Sequence, residues 1–148
     1  LDPLLIGLHI DGKSAISFEV VAHTDNDRGG IPVRRGDRTI IREEFLLPPD
    51  FDPTKVRVFN SNTLAFDAPG LLALRTPFSY FRVKKTVQGQ DVVQFERLIH
   101  EATLTLSTRY VLVPREGSRS RFLPVKDPDE LKARQAELAA VARARGML

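Results

Sequence analysis

Two polar corners of the sequence hold residue types that could do chemistry. The first is Asn60-Ser61-Asn62, directly after the apolar run Val56-Arg57-Val58-Phe59. Two amides around a hydroxyl supply donors and acceptors, and in open α/β sheets ligands sit at the carboxyl edge of the strands. The plainer reading is an Asx turn, which asparagine favours for local reasons, and spacing alone favours that turn. The second corner is Arg119-Ser120-Arg121-Phe122-Leu123-Pro124-Val125-Lys126-Asp127. Lys126 stands immediately before a helix start, where an ammonium and free helix N–H groups together make an anion site. Arg115, Arg119 and Arg121 add positive field nearby. A solvated basic loop is the plain alternative, but Pro124 and Pro128 restrict the backbone on both sides of Lys126.

Lesser candidates follow. Glu19 lies on the polar side of an alternating segment, where a solvated carboxylate is expected. Glu43-Glu44 reads as a surface pair at a strand end. His9, His23 and His100 form no metal-ligand spacing and are expected to be structural unless a partner comes near. There is no nucleophile elbow and no Ser-His-Asp ordering. Gly29-Gly30 alone does not make a phosphate loop.

The elements that must position these residues can be read from pattern. Asp2-Pro3 caps and opens a helix that ends by Asp11-Gly12, with Gly12 in the left-handed turn. Ala15 to Ala22 alternates as a strand, with Ile16, Phe18, Val20 and Ala22 on one face and Ser17, Glu19 and Val21 on the other. Thr24 to Gly30 is a loop. Ile31–Val33 and Thr39–Ile41 form a hairpin. Val56 to Phe59 is a short strand running into the elbow Asn60–Thr63. Asp67-Ala68-Pro69 starts a second helix carrying Leu71, Leu72 and Leu74. Ser79 to Val87 is a strand ending in the turn 88–91. Val92 to Thr105 is predicted helical, with Val92, Phe95, Leu98 and Ile99 on one side. Tyr110 to Val113 is a strand, and Pro114 to Arg121 a basic loop. Asp127-Pro128-Asp129-Glu130 starts a last helix, with a capping-box glutamate, an apolar stripe of Leu131, Leu138 and Val141, and Gly146 as its stop. Strands alternating with helices and hairpins predict an α/β fold with a mixed sheet and flanking helices.

The chain has 148 residues, enough for one domain or a part of a larger one. With 42% hydrophobic and 28% charged residues the composition is globular. The absence of cysteine excludes a disulfide scaffold, a thiolate metal site and a cysteine nucleophile, and fits a reducing compartment. No apolar run approaches a membrane span. The first residues lack the features of a signal peptide, and the lack of an initiator methionine fits a processed or excised piece. The net charge is only +3, and basic and aromatic residues do not interleave, so nucleic acid is not the expected partner.

The order of the motifs resembles the second half of the catalytic domain of UTP–glucose-1-phosphate uridylyltransferases, also called UDP-glucose pyrophosphorylases. The matching stretches are Ile16-Ser17-Phe18-Glu19-Val20 with Thr24 and Gly29-Gly30, then Arg42-Glu43-Glu44, Phe59-Asn60-Ser61-Asn62-Thr63-Leu64, Gln94-Phe95-Glu96, Val113-Pro114-Arg115, and Ser120-Arg121-Phe122-Leu123-Pro124-Val125-Lys126. The resemblance spans nearly the whole chain. It implies part of a Rossmann-like nucleotidyltransferase domain that joins UTP and glucose 1-phosphate to give UDP-glucose and pyrophosphate, with magnesium. It implies that Lys126 contacts phosphate as the catalytic lysine, that Asn62 bonds the sugar hydroxyls, and that Glu43 helps to hold the hexose. Glu19 and His23 fall on neighbouring substrate-side positions. His23 stands where the family usually has lysine, and an unperturbed histidine is mostly uncharged at neutral pH. The family's glycine-rich nucleotide loop, its magnesium aspartate and its uracil-reading residues lie upstream in that family and have no counterpart here, so no metal ligand is assigned in this chain. Residues 1–148 are thus read as a single domain or fragment, the sugar-binding half of such a domain. Its expected partners are UTP, glucose 1-phosphate or a UDP-sugar, and possibly a missing N-terminal half; the expected location is the cytoplasm. Two alternatives stay open: a UDP-N-acetylhexosamine pyrophosphorylase, and a non-catalytic module that keeps part of the fold.

Overall fold

A computed structural model describes residues 2–25 and 27–148. Leu1, at the start of the sequence, and Asn26, in the predicted 24–30 loop, lie outside the described residues. Helix α1 spans Pro3–Gly12. Asp2 caps it by accepting from the Leu4 N–H at 3.0 Å. The left-handed stop falls on Lys13 (φ 48°), not on Gly12. Gly12 is small for another reason: a Cβ there would stand 2.5 Å from the Arg109 guanidinium, which donates to the Leu8 carbonyl at 3.0 Å and so satisfies the helix end.

The central sheet orders β4 (Val58–Phe66), β1 (Ile16–Ala22) and β7 (Thr108–Leu112). The β1–β4 pair is antiparallel and the β1–β7 pair parallel, so the sheet is mixed, as the alternation of elements predicts. Hairpins β2–β3 (Gly30–Arg35 and Arg38–Glu43) and β5–β6 (Phe81–Val87 and Gln90–Glu96) form two further sheets. Helices α2 (Ala68–Ala73), α3 (Pro128–Ala133) and α4 (Gln135–Ala144) complete the molecule. Among the described residues no helix is long and apolar enough to cross a membrane.

Both faces of β1 are buried. Ile16 and Phe18 pack with Ile41 and Ala102, while Val21 packs with Ile31, Phe59 and Val113. The second face is the one expected to meet solvent. Leu5 of α1 packs there, and His9 Nδ1 lies 2.8 Å from Ser17 Oγ. A strand covered on both sides is driven into the sheet interior whatever its alternation suggests.

Three boundaries differ from the sequence reading. First, Asn60–Thr63 does not end β4; the strand continues to Phe66. Second, the predicted helix 92–105 is instead the strand β6 followed by a 3-10 turn at Ile99–Leu104. The cause is local: Gln88 (φ 50°) and Gly89 (φ 77°) are both left-handed, the geometry of a two-residue hairpin turn, and such a turn requires strands on both sides. Third, the last helix breaks at Arg134 into α3 and α4.

Candidate functional site

The amide corner is a bulge inside β4. Phe18 pairs with Leu64 and Val20 with Asn60, so Ser61, Asn62 and Thr63 stand opposite the single residue Glu19. The extra chain is accommodated by Asn62 at φ 60°, a left-handed conformation that asparagine tolerates better than most side chains. Ser61 Oγ donates to the Glu19 carbonyl at 3.0 Å and pins the bulge to β1. Asn60 is 2% exposed and holds its neighbour from beneath. Its Nδ2 donates to Asn62 Oδ1 at 2.8 Å, and its Oδ1 accepts from the Asn62 N–H at 3.1 Å. Asn62 is exposed, and among the described residues its own Nδ2 donates to no protein acceptor. The bulge thus offers one fixed amide donor outward.

A cavity of about 1070 Å³ opens over that donor. Its lining includes Asn60, Asn62, Ser118, Phe122, Lys126 and Arg134, so the two polar corners of the sequence meet in one space. The parallel strands β1 and β7 end on the same side, with Val20 beside both Asn60 and Leu112. The bulge itself stands opposite Glu19, midway along β1, and the 115–118 loop that follows β7 lines the same cavity.

The positive field is narrower than the sequence suggests. Arg115 is bound by Asp27 through two contacts, Nη1 to Oδ2 at 2.7 Å and Nη2 to Oδ1 at 2.8 Å, and also donates to the Ala22 carbonyl. Burial pushes the Asp27 carboxyl up, but the guanidinium and the Thr24 hydrogen bonds together hold it below the usual carboxylate range. Arg121 is bound by Glu19 in the same two-pronged way, at 2.7 Å and 2.5 Å, and by Asp2 at 2.9 Å. The hydrogen bonds that Arg121 donates to Glu19 raise the Arg121 pKa against the effect of burial. Arg119 does not line the cavity. Arg115, which lines the cavity, and Arg121 are thus both committed to carboxylates, and both fasten the 114–121 segment.

The helix start beside Lys126 is also occupied. Asp127 Oδ1 accepts from the Glu130 N–H at 2.8 Å, and Glu130 Oε2 accepts from the Lys126 N–H at 2.7 Å. With its own carboxylates at its N-terminus, α3 offers no open amide nest. What remains for an anion is the Lys126 ammonium itself, exposed and without an ion pair among the described residues.

The other sequence candidates lie elsewhere. Glu19 is 7% exposed and paired with Arg121, which corrects the expectation of a solvated carboxylate; its face of the strand is core. His23 lines a second cavity of about 680 Å³ with Phe45, Phe51 and Phe59, and is absent from the lining of the first. The two cavities share Asp27, Arg28 and Phe59. Glu43 is not the exposed half of a surface pair: its side chain is 16% exposed and its Oε1 lies 3.5 Å from Nδ1 of the buried His100. Sequence reasoning passed over His100 because no partner was near in the chain, and over Asn60 as a support because burial inside a bulge leaves no sequence pattern. Among the described residues no three of His, Asp and Glu converge as a metal set.

No family model matches the sequence, and no curated protein matches it. Solved structures do. A variant of the UDP-glucose pyrophosphorylase of Leishmania major superposes with a TM-score of 0.65 at 25% identity, over 90% of this chain and 33% of its own. A Trypanosoma brucei structure described as UDP-glucose phosphorylase gives a TM-score of 0.63 at 27% identity, over 88% of this chain and 31% of its own. Another L. major variant, in complex with UDP-glucose, gives 0.64 at 24% identity over 88% and 33%. The chain resembles these nucleotide-sugar pyrophosphorylases in fold and spans about a third of their length.

Proposed function

We propose that this chain, with the fold of part of a UDP-glucose pyrophosphorylase, supplies the sugar side and the phosphate-contacting lysine of a nucleotidyltransferase site. In this reading the ligand is a UDP-sugar or its precursors UTP and a sugar 1-phosphate, with UMP transferred to the sugar phosphate and pyrophosphate released. The Asn62 amide donates to a hexose hydroxyl, Glu43 accepts from another, and the Lys126 ammonium faces the diphosphate oxygens. Transfer of this kind asks the protein mainly to position groups and neutralise charge. Magnesium, when bound, would neutralise phosphate charge, and its ligands belong to none of the residues assigned here. The observation that carries the reading is the shared cavity: Asn62 and Lys126 line one space of about 1070 Å³.

Titration calorimetry with UDP-glucose tests it. A charge-assisted contact is worth about 1.5–3 kcal/mol, so Lys126→Ala is expected to weaken binding at least about tenfold. Unchanged affinity in that variant overturns the role given to the lysine. The position of His23 favours a second reading, a binding module without catalysis. An imidazole in the neighbouring cavity does not supply the phosphate contact that a lysine would. In that case UTP with magnesium produces no heat of binding while UDP-glucose still does.

A further inference from the structure

Lys126 does not stand alone on its wall of the cavity. Among the described residues the cationic side chains that line the space are Arg28, Arg115, Lys126 and Arg134. Arg115 is committed to Asp27. Arg28 donates to the Asp25 and Asp27 carbonyls of its own loop at 3.2 and 3.0 Å. Arg134 is held more loosely. Its Nη1 lies 3.4 Å from Glu137 Oε2, an i,i+3 pair whose side chains are 35% and 60% exposed. A pair that open to water shifts an equilibrium by about fivefold at most.

Glu130 sets where Arg134 stands. Its Oε2 accepts from the Lys126 N–H at 2.7 Å, and its carbonyl accepts from the Arg134 N–H at 3.0 Å. Lys126, Glu130 and Arg134 follow one another at helical spacing, and all three line the cavity. One residue thus ties both cations to the same wall, with the guanidinium a turn beyond Glu130. Arg134 is also where the helix breaks, closing α3 and preceding α4. The wall is not uniformly positive, because Glu130 and Glu137 lie on it too. A ligand that binds there must draw the guanidinium away from Glu137. A diphosphate can do so: it brings two charges against one, and its oxygens match the planar fork of a guanidinium. An ammonium is a point charge without that fork. A fork and a point charge on one wall fit the neighbouring phosphates of a nucleoside diphosphate ester.

We propose that Arg134 is a second phosphate contact, paired with Glu137 until a diphosphate takes its fork. The proposal rests on the reading of Lys126 as the lysine that faces the diphosphate. It adds a partner for that lysine and gives the Glu137 carboxylate the part of an internal competitor.

Calorimetry with UDP-glucose at low and high salt tests it. Arg134→Ala is expected to bind about tenfold more weakly than the wild-type chain, and the gap to narrow as salt screens the contact. Arg134→Lys, which keeps the charge and loses the fork, should recover part of the loss. Glu137→Gln removes the competitor and is expected to bind about twofold to fivefold more tightly. Wild-type affinity in Arg134→Ala, beside a weakened Lys126→Ala, overturns the proposal and leaves the lysine standing. Wild-type affinity in both variants overturns both roles. A loss in Arg134→Ala that salt does not narrow, or a Glu137→Gln variant that binds no more tightly, marks a helix contact in place of a phosphate contact and overturns the proposal. A wild-type chain that does not bind UDP-glucose overturns the underlying reading, and the proposal with it.

Discussion

Glu19→Ala should unfold this protein more readily than a change in any surface carboxylate. The Glu19 side chain is 9% exposed and that of Arg121 15%, and the two meet through paired contacts of 2.5 Å and 2.7 Å. Removing one partner of a buried pair costs about 3–5 kcal/mol, because the remaining charge is stranded. Asp2 still faces Arg121 at 2.9 Å, so the low end applies, about 3 kcal/mol. For a chain of this size that is a fall in melting temperature of about 6–12 °C. Glu19→Gln, which keeps the shape and loses the charge, should lose about 2 kcal/mol. Far-UV circular dichroism during urea and thermal unfolding measures both, and suits a chain without tryptophan. The sharper test is the double replacement Glu19→Leu with Arg121→Met. If the pair stabilises only because each charge requires the other, two apolar side chains should cost less than Glu19→Ala alone. A Glu19→Ala loss below about 0.5 kcal/mol, the size of an ordinary surface substitution, would refute the reasoning.

Three further outcomes are expected. Asp27 has a folded pKa below its ordinary 3.8, so its bond to Arg115 stabilises the fold at neutral pH and is lost as pH falls below that value; Asp27→Asn should cost about 1–2 kcal/mol at pH 7, and urea titrations should show the gap closing below pH 3.8. Gly30→Ala would put a methyl 2.7 Å from Cγ2 of the buried Ile41, an overpacking expected to lower stability by about 1–3 kcal/mol in thermal denaturation. Asn62 sits at φ 60°, so Asn62→Ala should be about 1 kcal/mol less stable than Asn62→Gly, while calorimetry finds both weakened toward UDP-glucose; equal stabilities would count against the left-handed bulge.

Much of the framework was legible because it is written in local chemistry. Asp2-Pro3, Asp67-Ala68-Pro69 and Asp127-Pro128 each cap a helix, as aspartate before proline should. The alternation of residues 15–22 announces β1. What was not legible depends on partners far away in the chain. Glu19 looked solvated because the guanidinium that covers it is 102 residues on. Arg115 looked available because Asp27 lies 88 residues earlier. The 92–105 segment misled for a different reason: Val92, Phe95, Leu98 and Ile99 satisfy a helical spacing, yet a turn with two left-handed residues in front of them had already committed the chain to a hairpin.

The way β4 carries its bulge sets which wall of the cavity can yield. Strand pairing with β1 resumes on both sides of Asn62, so the amide corner cannot shift without breaking the β1–β4 ladder. The opposite wall is fastened far more lightly. It is a short broken pair of helices with Val141 as its buried contact and the Arg145 bond to the Ser120 carbonyl as its strap. Any breathing of the space between them therefore falls on the helical wall, while the β4 wall is held by its pairing with β1.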